Sequence, residues 1–182
     1  TNTPEVPLVG QMAEVSDKRS MEVEIFVNDN TMGIADVSPA GVFSLPRILL
    51  DAGSNKVTAF SRSESQLQSP VSPPMIYFLD QEAPKIEFVE LPTHASLPAH
   101  KIQIRYQDNS GPMAQSITLV LNEVPIAIDN STSEPELTID LEDGANKLGL
   151  SAIDPAGNVS EVVETTLTLS NSPPETAPTD LK

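Results

Sequence analysis

The oxygen-bearing side chains Asp80, Glu82, Asp108, Asn109, Asp154 and Asn158 are of the kind that holds a hard divalent cation. Calcium takes roughly six to eight such oxygens. No Asp-x-Asp-x-Asp-Gly spacing groups these residues locally, so only a fold could gather them. The competing reading is that Asp108, Asp154 and Asn158 close turns by bonding backbone groups nearby. Other chemistry is thinly supplied. The only histidines, His94 and His100, fall in the Pro-containing stretch 91–100, with Glu90 the nearest acid in sequence, and are expected to be solvated loop residues. There is no Gly-x-Ser-x-Gly, no phosphate-cradling Gly loop and no Gly-x-Gly-x-x-Gly. Glu142 and Asp143 could assist glycoside cleavage only inside a cleft, yet they fall in an expected hairpin turn. No catalytic residue is expected, and the chain is not expected to be an enzyme.

The seven Phe and Tyr residues divide by phase along the expected strands. Tyr77, Phe88 and Tyr106 fall inward, where they contribute mainly buried area. Phe26, Phe60 and Phe78 fall on the phase opposite to their apolar neighbours. These three are a candidate ligand or partner patch.

The elements that must position these residues are strands. Met21, Val23, Ile25 and Val27 alternate with Glu22, Glu24 and Phe26; Ile102, Ile104 and Tyr106 alternate with Gln103 and Arg105; Leu137, Ile139 and Leu141 alternate with Thr138 and Asp140. A period of two gives one buried and one wet face. Turn clusters such as Asp51-Ala52-Gly53-Ser54-Asn55 and Asp154-Pro155-Ala156-Gly157-Asn158 separate the runs. Strands are expected near 5–11, 21–28, 31–37, 42–50, 55–61, 74–79, 85–90, 100–107, 116–122, 124–129, 136–141, 146–153 and 160–169.

The pattern occurs twice. Leu50 to Val57 lines up with Leu141 to Leu148, 91 residues on, and Val23 to Asn28 with Ile117 to Asn122, 94 residues on. Domains are expected over 1–81 and 82–170, followed by a Pro-rich linker or tail over 171–182. Only five residues precede Val6, against the seventeen from Ala83 to Ala99 that precede the matching strand, so the first domain is expected to lack its first strand. An unpaired edge of that kind invites strand addition.

Composition narrows the role. The 182 residues carry 26 Asp and Glu against 10 Lys and Arg, for a formal charge of −16, which excludes unspecific phosphate-backbone binding as a main task. Zero Cys excludes disulfides and thiolate zinc. No apolar run approaches the roughly 18 residues of a membrane span, and no nucleic-acid partner is expected.

The order of an alternating strand ending in Asn, the segment Gly41-Val42-Phe43-Ser44-Leu45, the Leu-x-x-Gly-x-Asn segments at Leu50–Asn55 and Leu141–Asn146, and Asp154-Pro155-Ala156-Gly157-Asn158 resembles bacterial immunoglobulin-like domains found in tandem in secreted and cell-surface proteins. The first copy departs from the pattern, with Ser63 and Leu67 where Asp154 and Asn158 fall. The resemblance implies an all-β fold of two tandem immunoglobulin-like (fibronectin type III-like) antiparallel sandwiches, export, modular arrays and, in some members, calcium. In such a sandwich the entering chain and the loops after the second and sixth strands meet at one pole. That would gather Asp80, Glu82, Asp108, Asn109, Asp154 and Asn158 at the domain junction as a Ca2+ site, with no cofactor required. The expected role is a non-catalytic stalk, spacer or surface-filament component, extracellular or on the cell surface. Its partners would be other domains of the same polypeptide or surface proteins. The alternative is an accessory substrate-binding or docking module of a secreted polysaccharide-degrading enzyme.

Overall fold

The computed structural model describes residues 1–12 and 21–170; the expected tail over 171–182 lies outside them. The chain divides into two compact units, Thr1–Gln81 and Glu82–Lys182. Every regular element among the described residues is a strand, so no helix is long and apolar enough to cross a membrane.

The first unit contains β1 (Glu5–Gln11), β2 (Met21–Val27), β3 (Asn30–Asp36), β4 (Val42–Leu49), β5 (Gly53–Ser63) and β6 (Met75–Leu79). They form a two-stranded sheet β1-β4 and a four-stranded sheet β3-β2-β5-β6, antiparallel throughout. The inward phase of each strand meets between the sheets: Leu8 and Ile48 from one, Val23, Ile25, Val27, Val57 and Leu79 from the other. Ile25, between Gly33 of β3 and Ala59 of β5, is 0% exposed within this core.

The second unit contains β7 (Lys85–Val89), β8 (His94–Ala95), β9 (Ala99–Gln107), β10 (Ser116–Leu121), β11 (Val124–Ala127), β12 (Glu136–Asp140), β13 (Gly144–Ile153) and β14 (Val163–Leu169). Its sheets run β12-β9-β7 and β11-β10-β13-β14-β8, with β8 joining β14 in parallel. Ile102, Ile104 and Tyr106 face Leu119, Leu148, Leu150 and Leu167 across a core of their own. Burying each such side chain contributes about 1.5–3 kcal/mol. This is two closed sandwiches, each with its own interior.

The histidines differ from expectation in one respect. His94 opens the short strand β8 and His100 lies in β9 opposite Ile139, so neither belongs to a loop. His94 remains exposed, its Nδ1 3.0 Å from Thr93 Oγ1.

The Leu-x-x-Gly-x-Asn segments do not form hairpins, which corrects the hairpin turn expected at Glu142 and Asp143. They carry the chain from one sheet to the other, β4 to β5 and β12 to β13. With no ladder partner across the gap, an amide side chain takes over. Asn55, fully buried, accepts from the Asp51 N–H at 2.8 Å and donates to the Asp51 and Gly53 carbonyls at 2.7 and 3.0 Å. Asn146 does the same with Glu142 and Gly144 at 2.9, 2.8 and 3.1 Å. Gly53 and Gly144, at φ +86° and +93°, supply the left-handed turn this closure requires. Each Asn is then joined to the Asn that ends the adjacent strand. Asn28 Nδ2 donates to Asn55 Oδ1 at 3.1 Å and Asn122 Nδ2 to Asn146 Oδ1 at 3.0 Å. Positive φ at Asn28-Asp29 and Asn122-Glu123 makes both following turns of the tight type that matches strand twist.

Candidate functional site

Asp154 ends β13, and its carboxylate organises the next four residues. Oδ1 accepts from the N–H groups of Gly157 and Asn158 at 2.7 and 2.9 Å, while Oδ2 accepts from Asn158 Nδ2 at 2.8 Å. Gly157, at φ +97°, completes the turn. Asp108 ends β9 in a similar way, its Oδ2 accepting from the Ser110 N–H at 3.0 Å and from the Ser110 hydroxyl. Turn closure is thus a role that both residues fill. The two turns also bring a carboxylate oxygen of Asp108 within 4.8 Å of one from Asp154.

Asp154 is fully buried and Asp108 half-buried. The donor set consists of hard oxygens without imidazole or thiolate, which suits calcium rather than zinc or copper. Asn158 stands in the same turn as Asp154, and Asn109 follows Asp108 as an exposed residue. Glu82, exposed, opens the second unit, and Asp80, 1% exposed, follows β6 with its N–H on the Thr1 carbonyl at 2.9 Å.

The aromatic candidates separate into a pair and a single residue. Phe26 and Phe60, on neighbouring strands β2 and β5, face outward and stack with ring centroids 5.5 Å apart. Arg62 lies 5.6 Å above the Phe60 ring and bonds Glu24 at 3.0 Å, so a cation and an acid frame the pair. Phe78 stands on β6 opposite Ser54, whereas Phe26 is opposite Thr58; four residues along β5 separate these rows, roughly 13 Å at strand rise. Phe78 instead shares its face of β6 with Ile76, and both are exposed.

One further feature was not foreseen from sequence. Arg105 on β9 is gripped by Glu134 at 2.9 Å and Glu87 at 3.0 Å; these bonds, Glu134 first, raise its pKa above the ordinary arginine value. Alternating charge on the wet faces of β7 and β9 was the available signal. The sequence also carries two Asn-x-Ser/Thr sequons, Asn130-Ser131-Thr132 and Asn158-Val159-Ser160, whose amide nitrogens are engaged, Asn130 on the Ala114 and Gln115 carbonyls at 2.8 and 2.7 Å and Asn158 on Asp154.

No protein-family model matches the sequence, and no curated protein matches it. Solved structures do. The fibronectin(III)-like modules of Clostridium thermocellum CbhA align over 90% of this chain and 85% of theirs, with a TM-score of 0.51 and 13% identity. A marsupial T cell receptor aligns over 91% of this chain and 68% of its own, with a TM-score of 0.58 and 10% identity. A tetra-tandem repeat in the extending region of a large adhesion protein aligns over 91% and 45%, with a TM-score of 0.40 and 20% identity. The fold is therefore immunoglobulin-like and fibronectin type III-like, as the order of turns and strands implied.

Proposed function

We propose that this chain is a non-catalytic structural or adhesive module of an exported bacterial protein, a stalk, spacer or surface-filament component that works beside other domains of its polypeptide or surface proteins. The observation that carries this reading is the duplicated closure: each unit has its own core and its own buried Asn clasp. Modules built this way resist extension one at a time, and the −16 charge keeps arrays of them apart in solution. Stretching single molecules of the full chain tests it. Two separate unfolding events are expected, each releasing roughly 25 nm for some 80 to 90 residues at extended-chain spacing. One event spanning the whole chain would overturn the reading.

The outward stack of Phe26 and Phe60 favours a second reading, a polysaccharide-binding or docking module of a secreted degrading enzyme. Retention on insoluble polysaccharide that is lost in Phe26→Ala or Phe60→Ala would count against a pure spacer.

Calcium belongs to the same proposal. Asp108 and Asp154 would be its first ligands, with Asn109, Asn158 and Glu82 of the same unit as further oxygen donors. Melting the chain in chelator and in millimolar calcium should give a higher midpoint with the metal. Equal midpoints and no calorimetric signal would remove the ion from the proposal.

A further inference from the structure

The sheet that holds the buried Asn clasp can be compared residue by residue between the two units, because strand pairing sets the equivalence. Glu24 stands opposite Ile34 and Phe60, as Thr118 stands opposite Ala127 and Ser151. Phe26 is opposite Thr58, as Val120 is opposite Gly149. Lys56 faces Ile76 and Ser54 faces Phe78, as Lys147 faces Thr166 and Ala145 faces Thr168. All of these positions lie on the side of the sheet away from the core, since their neighbours along each strand are the buried ones.

The two faces carry different side chains at matched places. The second unit has Ala127, Val120, Ser151, Thr166 and Thr168, so the fold itself asks for nothing larger there. The first unit has Ile34, Phe26, Phe60, Ile76 and Phe78, spread over all four strands of its sheet. Ile34, Ile76 and Phe78 are 52%, 61% and 43% exposed, and Phe26 and Phe60 are half-buried against each other. Exposed apolar surface gathered on one face marks an interface. The charges around it sort by strand: Glu22 and Glu24 on β2 with Asp36 on β3, against Lys56 and Arg62 on β5. Arg62 holds Glu24 at 3.0 Å and Lys56 holds Asp29 at 2.9 Å, while Glu22 stands exposed. A partner of a single charge sign would meet like charge on one of these columns. A partner with the same two columns, turned over, would not.

We propose that this outward face of the first unit docks the same face of a second copy of the chain. A two-fold axis along the strands, between β2 and β5, lays β2 of one copy over β5 of the other. Glu22 and Glu24 then approach Lys56 and Arg62 of the partner subunit, and the Phe26 and Phe60 rings of both copies gather about the axis. Such a contact is self-complementary and closes at two copies. Four strands about 4.8 Å apart and six residues at about 3.3 Å each give a face of roughly 19 by 20 Å, at the small end of specific interfaces. The charge of −16 on each copy opposes the approach, so the dimer forms with concentration instead of being obligatory.

The test is sedimentation equilibrium of the full chain. Between about 10 μM and about 1 mM the mass should rise from 19.5 kDa toward twice that value. Ile76→Thr with Phe78→Thr, which installs the residue the second unit has at both places, should hold the chain at monomer mass; both side chains are exposed, so the core is left intact. Glu22→Lys should weaken association by about fivefold or more, although it lowers the net negative charge, because it sets a cation over the partner's cations. Amide shifts that move with concentration should fall on β2, β3, β5 and β6 and spare β10 and β13. A mass that stays at 19.5 kDa up to about 1 mM would overturn the proposal, as would undiminished association in the double variant or in Glu22→Lys. A chain that remains monomeric yet is retained on insoluble polysaccharide through Ile76 and Phe78 would also overturn it, and would give the face to a sugar.

Discussion

In the second unit β9 lies between β7 and β12, whereas among the described residues of the first unit β1, whose Val6 stands opposite Ile48 as His100 of β9 stands opposite Ile139, pairs with β4 alone. The buried apolar core follows: sixteen residues in the second unit and ten in the first, among those described. Yet the buried Asn of each crossing makes the same three backbone bonds in both. The Asn28–Asn55 clasp repeats as Asn122–Asn146. Even the departure at Ser63 keeps its geometry, since the Ser63 N–H bonds the Leu67 carbonyl at 3.0 Å as Asp154 N–H bonds that of Asn158 at 3.0 Å. Local closure is thus independent of how many strands complete the sheets. It follows from short-range bonds, while core size follows from long-range pairing.

The largest effects should come from the cores. Ile25→Ala and Leu150→Ala, both at fully buried positions, should each cost about 2–5 kcal/mol by denaturant titration. The smaller core should make the first unit unfold at lower denaturant in either background. Residue-resolved exchange showing the first unit as the more protected would break this ranking.

The clasps come next. Asn55→Ala and Asn146→Ala should each cost about 3 kcal/mol, because each strands several buried backbone groups at once. The losses should match within about 1 kcal/mol if closure is independent of strand number. A clearly unequal pair would show that the extra strands of the second unit support its clasp.

The following turn sharpens the contrast. Asp154→Ala removes three accepted bonds, and about 2 kcal/mol should go with them. Ser63→Ala loses two exposed bonds of its hydroxyl, to the Leu67 N–H at 3.2 Å and to the Ser65 hydroxyl at 3.0 Å, so its cost should stay below about 1 kcal/mol. The smallest effect is a gain. Gln66, at φ +63°, occupies the left-handed place that Gly157 takes in the second unit, and Gln66→Gly should raise the first unit's stability by up to about 1 kcal/mol.

Most strands could be read from alternation, because a sheet with one buried face writes its period directly into sequence. β2, β9 and β12 lie within a residue of their expected bounds. β8 was invisible: two residues paired in parallel leave no alternation to detect. β14 begins at Val163, later than the expected 160, because Ser160 is taken up in bonds to Ala152 and Glu161. Phe26 and Phe60 could be placed on a wet face from phase alone. That they stack while Phe78 stands apart depends on strand neighbours and register, which phase does not specify.

Residue order alone was sufficient for the all-β class, the doubled unit and the turns, since each depends on interactions within a few positions of the chain. Tertiary structure decided the rest. It turned the hairpin expected at Glu142 and Asp143 into a crossing between sheets, and it set the carboxylates of Asp108 and Asp154 near each other. Both are matters of which distant strands become neighbours, and no local pattern encodes that choice.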